Sequence, residues 1–148
     1  MGVRGCLSGS IELRQLNANT SYRVAQCVPV SGGFDLPLAA SMELDLASGF
    51  ASVTLGCRYY AAAACTGAEV GVDEATFLQA DTAGAWFPFA DTFAVPADAA
   101  SARCSFRLSL PGGQNFTAHL DRLFAGRALE IFADGFASGD TSAWSSTV

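Results

Sequence analysis

Polar and apolar residues alternate along most of the chain, and the three-to-four spacing of an amphipathic helix is nearly absent. Ser8 to Leu16 sets Ile11 and Leu13 against Glu12 and Arg14. Tyr22 to Val30 places Tyr22, Val24, Gln26 and Val28 on one side and Arg23, Ala25 and Cys27 on the other, with Pro29 marking an edge or a strand end. From Leu36 to Leu46 the even positions are apolar, while Ser41, Glu43 and Asp45 occupy the other phase, as in a half-buried antiparallel strand. Val53, Leu55, Cys57 and Tyr59 repeat the pattern, as do Cys104, Phe106, Leu108 and Leu110, and then Phe116, Ala118, Leu120 and Arg122. Between them, Ala61 to Gly67 reads as a loop, Val70 to Thr76 as an irregular extended segment, and Trp86 to Phe89 as an aromatic strand interrupted by Pro88. About eight strands separated by turns predict an all-β fold, an antiparallel β-sandwich or jelly roll. No βα alternation offers a Rossmann-type or TIM-type site. Residues 1–124 are expected to form the sandwich and residues 125–148 a tail, either a linker or a strand that completes the sandwich in its own chain or in a neighbour.

Composition narrows the function. The chain has 148 residues, a size suited to one core, and 51% of them are hydrophobic. Fourteen acidic residues face eight basic ones, for a net charge of −6, and every basic residue is an arginine. Those arginines are scattered singly along the sequence, an arrangement that argues against nucleic acid and against an anionic membrane surface as partners. No apolar run reaches the length of a membrane-spanning helix. The N-terminal MGVRGCLSGS lacks an apolar core segment, so no signal peptide is expected there. Five cysteines without a CxxC pair, and a single histidine, favour disulfides over a zinc site, and so an extracellular or cell-surface location. The residues alone leave the pairing open.

Catalysis is difficult to assemble. His119 and Asp121 share a strand face, but no Gly-x-Ser-x-Gly turn displays a nucleophile, and no two carboxylates are singled out as a glycosidase pair. Sugar binding needs aromatic faces with a few orienting polar groups. Trp86, Tyr59, Tyr60 and Arg58 are the principal candidates, supported by Phe87, Phe89, Gln79, Asp81 and Asp91. Tyr59 and Tyr60 point to opposite faces of their strand, so at most one serves. Packing in the core or at its rim is the competing reading for each ring.

Three segments carry a resemblance: Gln26-Cys27-Val28-Pro29-Val30-Ser31-Gly32-Gly33, Tyr59-Tyr60-Ala61-Ala62-Ala63-Ala64-Cys65-Thr66-Gly67, and Phe116-Thr117-Ala118-His119-Leu120-Asp121. With Ser8-Gly9-Ser10 they resemble the carbohydrate-binding, galactose-binding-domain-like jelly rolls of secreted bacterial proteins, over about residues 8 to 124. The resemblance implies a non-catalytic accessory module that binds a polysaccharide. It also implies a Cys27–Cys65 bridge, leaving Cys57 and Cys104 for a second and Cys6 free; Cys27–Cys104 with Cys57–Cys65 is the alternative. A structural calcium ion is implied at Asp121, with Asp134 and Asp140 as further ligands, although Arg122 and Ala137 stand where the pattern has acidic residues. The segment from Asp134 to Trp144 resembles the first strand that such domains begin with. If it is donated to a neighbouring molecule, the product is a homodimer or a filament, and the chain is then a structural, self-assembling domain without a small-molecule ligand.

Overall fold

A computed structural model describes residues 4–5, 11–15, 20–110, 115–126 and 145–147. Two five-stranded antiparallel sheets face each other. One runs in the order β1 (Arg4–Gly5), β2 (Ile11–Gln15), β9 (Phe116–Ala125), β4 (Asp35–Leu46), β7 (Phe87–Ala94). The other runs β10 (Ser145–Thr147), β3 (Thr20–Pro29), β8 (Ser101–Leu110), β5 (Ala51–Tyr60), β6 (Glu69–Gln79). The chain is thus an all-β sandwich of jelly-roll type, and among the described residues the only helical turn is the 3-10 turn Ala63–Cys65.

The period-two pattern becomes the core directly, because successive side chains on a strand leave opposite faces. Leu36, Leu38, Ala40, Met42, Leu44 and Leu46 of β4 meet Val53, Leu55, Cys57 and Tyr59 of β5, Phe106, Leu108 and Leu110 of β8, and Phe116, Ala118 and Leu120 of β9. Tyr22 and Phe116 pack edge to face across the sheets, 5.7 Å between centroids. Pro88 is tolerated within β7 because β7 borders its sheet.

Two sequence expectations change. The segment read as irregular, Val70 to Thr76, lies inside the eleven-residue strand β6, paired with β5 along its length. As a border strand it buries one side only, so Val72, Glu74, Thr76 and Leu78 alternate outward and blur the apolar signal. Arg122, in phase with Leu120 in the sequence, is exposed. The register shifts between Ala39 and Ser41, and Arg122 takes a positive φ of 52°, a bulge that turns the guanidinium out of the core. Of the tail, only Ser145–Thr147 is described; it pairs with Ala25, Val24 and Arg23 of β3 in the same chain.

Two disulfides are formed, Cys27–Cys65 and Cys57–Cys104. Cys57 and Cys104 are directly opposite each other on β5 and β8, inside the core. Cys27 faces outward on β3 and holds the β5–β6 loop, where Cys65 N–H also donates to the Ser101 hydroxyl at 2.9 Å. Replacing Cys27 and Cys65 together by serine should lower the unfolding free energy by about 2–4 kcal/mol, since each bridge mainly restricts the unfolded chain. Urea unfolding of the oxidised proteins measures this, and an unchanged midpoint would show that the loop needs no tether.

Candidate functional site

The four residues predicted to contact a ligand separate into three environments. Tyr59 is fully buried and offers no ring face to a ligand; its expected role is therefore corrected to that of a core residue. Burial, aided by the nearby Asp73 carboxylate, pushes its phenol up to about 12. Tyr22 is raised in the same direction by burial. Because the unfolded phenol ionises near its ordinary value, between pH about 10 and 12 the native state holds a proton that the unfolded state has lost, and stability must fall as pH rises. Tyr59→Phe should flatten that decline, with a residue left to Tyr22; thermal melts across this range test it, and an identical decline in the variant would assign it elsewhere.

Trp86 and Phe87 stand at one end of the sandwich, where β4 ends and β7 begins. They are 46% and 47% exposed, and Phe50 (60%) and Leu78 (72%) lie at the same end. The turn that presents Trp86 is closely held. Ala83 and Gly84 both have positive φ, and Ala85 N–H donates to the Thr82 carbonyl at 3.0 Å, the geometry of a tight reverse turn. Asp81 accepts the Leu46 N–H at 3.0 Å and the Ala83 N–H at 2.8 Å, one on each carboxylate oxygen. The Thr82 hydroxyl oxygen accepts the Leu44 N–H at 2.9 Å, and the Thr82 N–H donates to the Leu44 carbonyl at 2.9 Å. Phe77, Phe89 and Phe87 stack in series beneath, with centroids 5.6 and 5.3 Å apart. Asp81, considered as a sugar contact from sequence, instead clamps this turn to β4. Gln79 and Asp91 likewise bond their own neighbouring backbone, Gln79 to the Ala80 carbonyl and Asp91 to the Thr92 N–H.

Arg58 and Tyr60 share the outward face of the β3–β8–β5–β6 sheet. Arg58 pairs with Glu69 at 3.0 Å. The register adds what sequence spacing concealed: Arg23 is opposite Arg107, and Arg103 is opposite Arg58. Four of the eight arginines therefore lie on one sheet face, which corrects their reading as scattered and removes that basis for discounting anionic partners. The outward face of the other sheet is mixed, with Arg14 and Arg122 beside its carboxylates. Glu12, His119 and Glu43 form a row across β2, β9 and β4, with His119 Nε2 3.7 Å from the Glu12 carboxylate, and Asp45 and Asp121 lie on the same face. This juxtaposition of a histidine with two carboxylates is likewise a product of register; it sits on an open sheet face rather than in a cleft.

Asp121 accepts the Arg122 N–H at 2.7 Å and so holds the bulge. Among the described residues no three His, Cys, Asp or Glu side chains cluster as a metal centre. Asp134 and Asp140 lie outside the described residues. A cavity of about 30 Å³ between the sheets, beside Gln26 and Phe106, has room for about one water and none for a sugar. A depression of about 310 Å³ at the end opposite Trp86 is lined by Ser31, Phe34 and Asp35, and runs up to Gly126, where the described stretch stops.

Solved structures share this architecture. The TmCBM61 structure in complex with beta-1,4-galactotriose matches with a TM-score of 0.57 at 9% identity, covering 80% of this chain and 70% of that one. The Family 16 Carbohydrate Binding Module-2 matches with a TM-score of 0.52 at 14% identity, covering 78% and 74%. The fold is carbohydrate-binding-module-like. The enzymatically active domain of tailspike protein 4 from bacteriophage CBA120 matches equally well, with a TM-score of 0.57 at 15% identity; 79% of this chain is covered, but it spans only 15% of that chain's length. At these identities the fold alone is shared. No family model and no curated protein matches the sequence.

Proposed function

We propose that the protein is a non-catalytic, extracellular carbohydrate-binding module whose sugar platform is Trp86 with Phe87. The observation that carries this reading is the display of Trp86, just after a turn rigidly fastened to β4, beside Phe87 at the start of β7. Leaving such rings exposed forgoes their burial, which is worth about 1.5–3 kcal/mol for a large apolar side chain. The hydrogen bonds from Asp81 and Thr82 fix the ring-bearing turn before any ligand arrives, which reduces the entropy lost on binding. A pyranose ring presents axial C–H groups on one face, which fit an aromatic surface, while its hydroxyls remain hydrated. The fold's likeness to carbohydrate-binding modules supports the class, and two disulfides suit an oxidising, extracellular setting. The structural calcium expected at Asp121, Asp134 and Asp140 belongs to the same proposal.

A glycan-array screen of the oxidised protein, followed by titration calorimetry on neutral polysaccharides such as galactan, tests the platform. Trp86→Ala should weaken binding at least tenfold and Phe87→Ala several-fold, with melting temperatures nearly unchanged because both rings are half exposed. Binding that survives Trp86→Ala would move the site elsewhere; no binding by the folded wild type, with calcium or with chelator, would overturn the reading. Calcium added to chelated protein should raise the melting temperature if the ion is structural.

A further inference from the structure

The two disulfides stand in opposite surroundings. Cys57 and Cys104 are 2% and 6% exposed, and their bridge lies between the sheets, where a thiol in solution reaches it only if the sandwich opens. Cys27 is exposed on the outer side of β3, and Cys65 is half-buried on the β5–β6 loop, so their bridge lies at the surface. Access to a sulfur is one of the conditions that govern thiol–disulfide exchange. On access alone, the two bridges are separated by the cost of opening the core.

The loop that carries Cys65 is held from outside rather than by its own packing. None of the residues in its 3-10 turn is buried. Ala64 and Cys65 have φ of 55° and 53°, the left-handed region that residues other than glycine rarely adopt. Two successive residues of this kind stay there only where their surroundings impose it. The base of the loop is closed by the Ala61 N–H donating to the Ala68 carbonyl at 3.0 Å. Gly67, with φ of 79°, lies against it, and an added Cβ there would stand 3.1 Å from the Ala62 Cβ. The tip is fastened through the bridge to Cys27 and through the Ser101 hydroxyl, which accepts the Cys65 N–H at 2.9 Å and donates to the Ala62 carbonyl. Breaking the bridge leaves the Ser101 hydrogen bonds to hold the tip, and it lets Ala64 and Cys65 relax to ordinary backbone angles.

We propose that Cys27–Cys65 is a redox-reactive site, a latch that an external dithiol opens while the core bridge and the sandwich stay intact. A thiolate of the dithiol attacks the exposed Cys27 sulfur. The Cys27–Cys65 bond breaks, a mixed disulfide forms on Cys27, and Cys65 leaves as a thiolate that takes up a proton. The second thiol of the reductant gives up its proton and attacks the reductant's own sulfur in the mixed disulfide. This yields the cyclic oxidised dithiol and releases Cys27 as a thiolate, which is protonated in turn. Two electrons and two protons thus pass from the dithiol to the protein. The product is a folded domain whose loop at residues 61–68, at the end away from Trp86, is free at its tip. A loop of small, exposed residues without its tether is a preferred site of proteolysis, so a reducing environment converts a protected segment into a cleavable one.

The test blocks the free thiols of the oxidised full chain with N-ethylmaleimide, then adds dithiothreitol without denaturant and labels the new thiols over time for peptide mapping. Cys27 and Cys65 should be labelled at least about tenfold faster than Cys57 and Cys104, with the near-UV circular dichroism of the core rings retained. Elastase, which cleaves after small residues, should cut within residues 61–64 of the reduced protein and of Cys27→Ser/Cys65→Ser, and leave the oxidised loop intact. Equal labelling of all four cysteines, or earlier labelling of Cys57 and Cys104, overturns the proposal. So does loss of the near-UV signal as Cys27 and Cys65 are labelled, or loop cleavage at the same rate in oxidised and reduced protein. Should the double variant fail to fold, labelling and cleavage of the wild type decide alone. None of these readouts involves the Trp86 platform, so the two readings fail separately.

Discussion

The register between β5 and β8 is the constraint on which the rest depends. Cys57 and Cys104 face each other across this pair at the centre of the β10–β3–β8–β5–β6 sheet, and their covalent bond permits no slippage. A slip of one residue would exchange the two faces of a strand. It would expose Phe106 and Leu108 and drive Arg103 and Arg107 into the core. With the pair fixed, Val53, Leu55 and Tyr59 must face Leu108, Phe106 and Ala102 on the inside, and Thr54, Gly56 and Arg58 must face Arg107, Ser105 and Arg103 on the outside. The inner rows make the core; the outer rows set Arg58 opposite Arg103. Packing and surface chemistry are therefore two readings of one register.

The second bridge acts at the periphery. Cys27 and Cys65 fasten the β5–β6 loop to β3, and Ser101 reinforces the attachment by accepting the Cys65 N–H and donating to the Ala62 carbonyl. This loop makes no contribution to the core, because none of the residues in its 3-10 turn is buried. A covalent tether substitutes for apolar anchoring. At the other end of the sandwich the β6–β7 turn is held by Asp81 and Thr82 instead, through charged and hydroxyl hydrogen bonds to β4. The two ends thus use different chemistry for the same purpose, and Trp86, Phe87 and Phe50 stand exposed at the hydrogen-bonded end, Phe34 at the other.

The strands were legible wherever one face is buried against the other sheet. β3, β4, β5 and β8 could be read nearly residue by residue, because alternation reports directly on a half-buried strand. β6 could not, because a border strand presents Val72 and Leu78 to solvent while Gly71 and Asp73 interrupt the inward row that Ala75 and Phe77 continue. Arg122 was misassigned for a different reason: a bulge adds a residue to one strand only, and no local pattern announces it. The candidate site was legible only in part. Trp86 and Tyr60 could be nominated by residue type, and Tyr59 could be known to oppose Tyr60, but which of the two faced inward required the partner sheet. The arginine rows were invisible, since Arg23, Arg58 and the Arg103–Arg107 stretch are tens of residues apart in sequence and meet only through two strand pairings.

Those pairings also divide the surface unevenly by charge, with Arg23, Arg58, Arg103 and Arg107 outside one sheet, and Glu12, Glu43, Asp45 and Asp121 beside Arg14 and Arg122 outside the other. Hydrophobic packing cannot account for this division, because the outward phase of each strand is free of the core and either sheet would tolerate either sign. Local pairing offsets part of it, as Arg58 with Glu69 and Arg107 with Glu74 alternate in sign at the β6 border. In the middle of the sheet the opposite choice was made, and arginine faces arginine twice. Register thus places like charges side by side, held there by the apolar inner phase of the same strands.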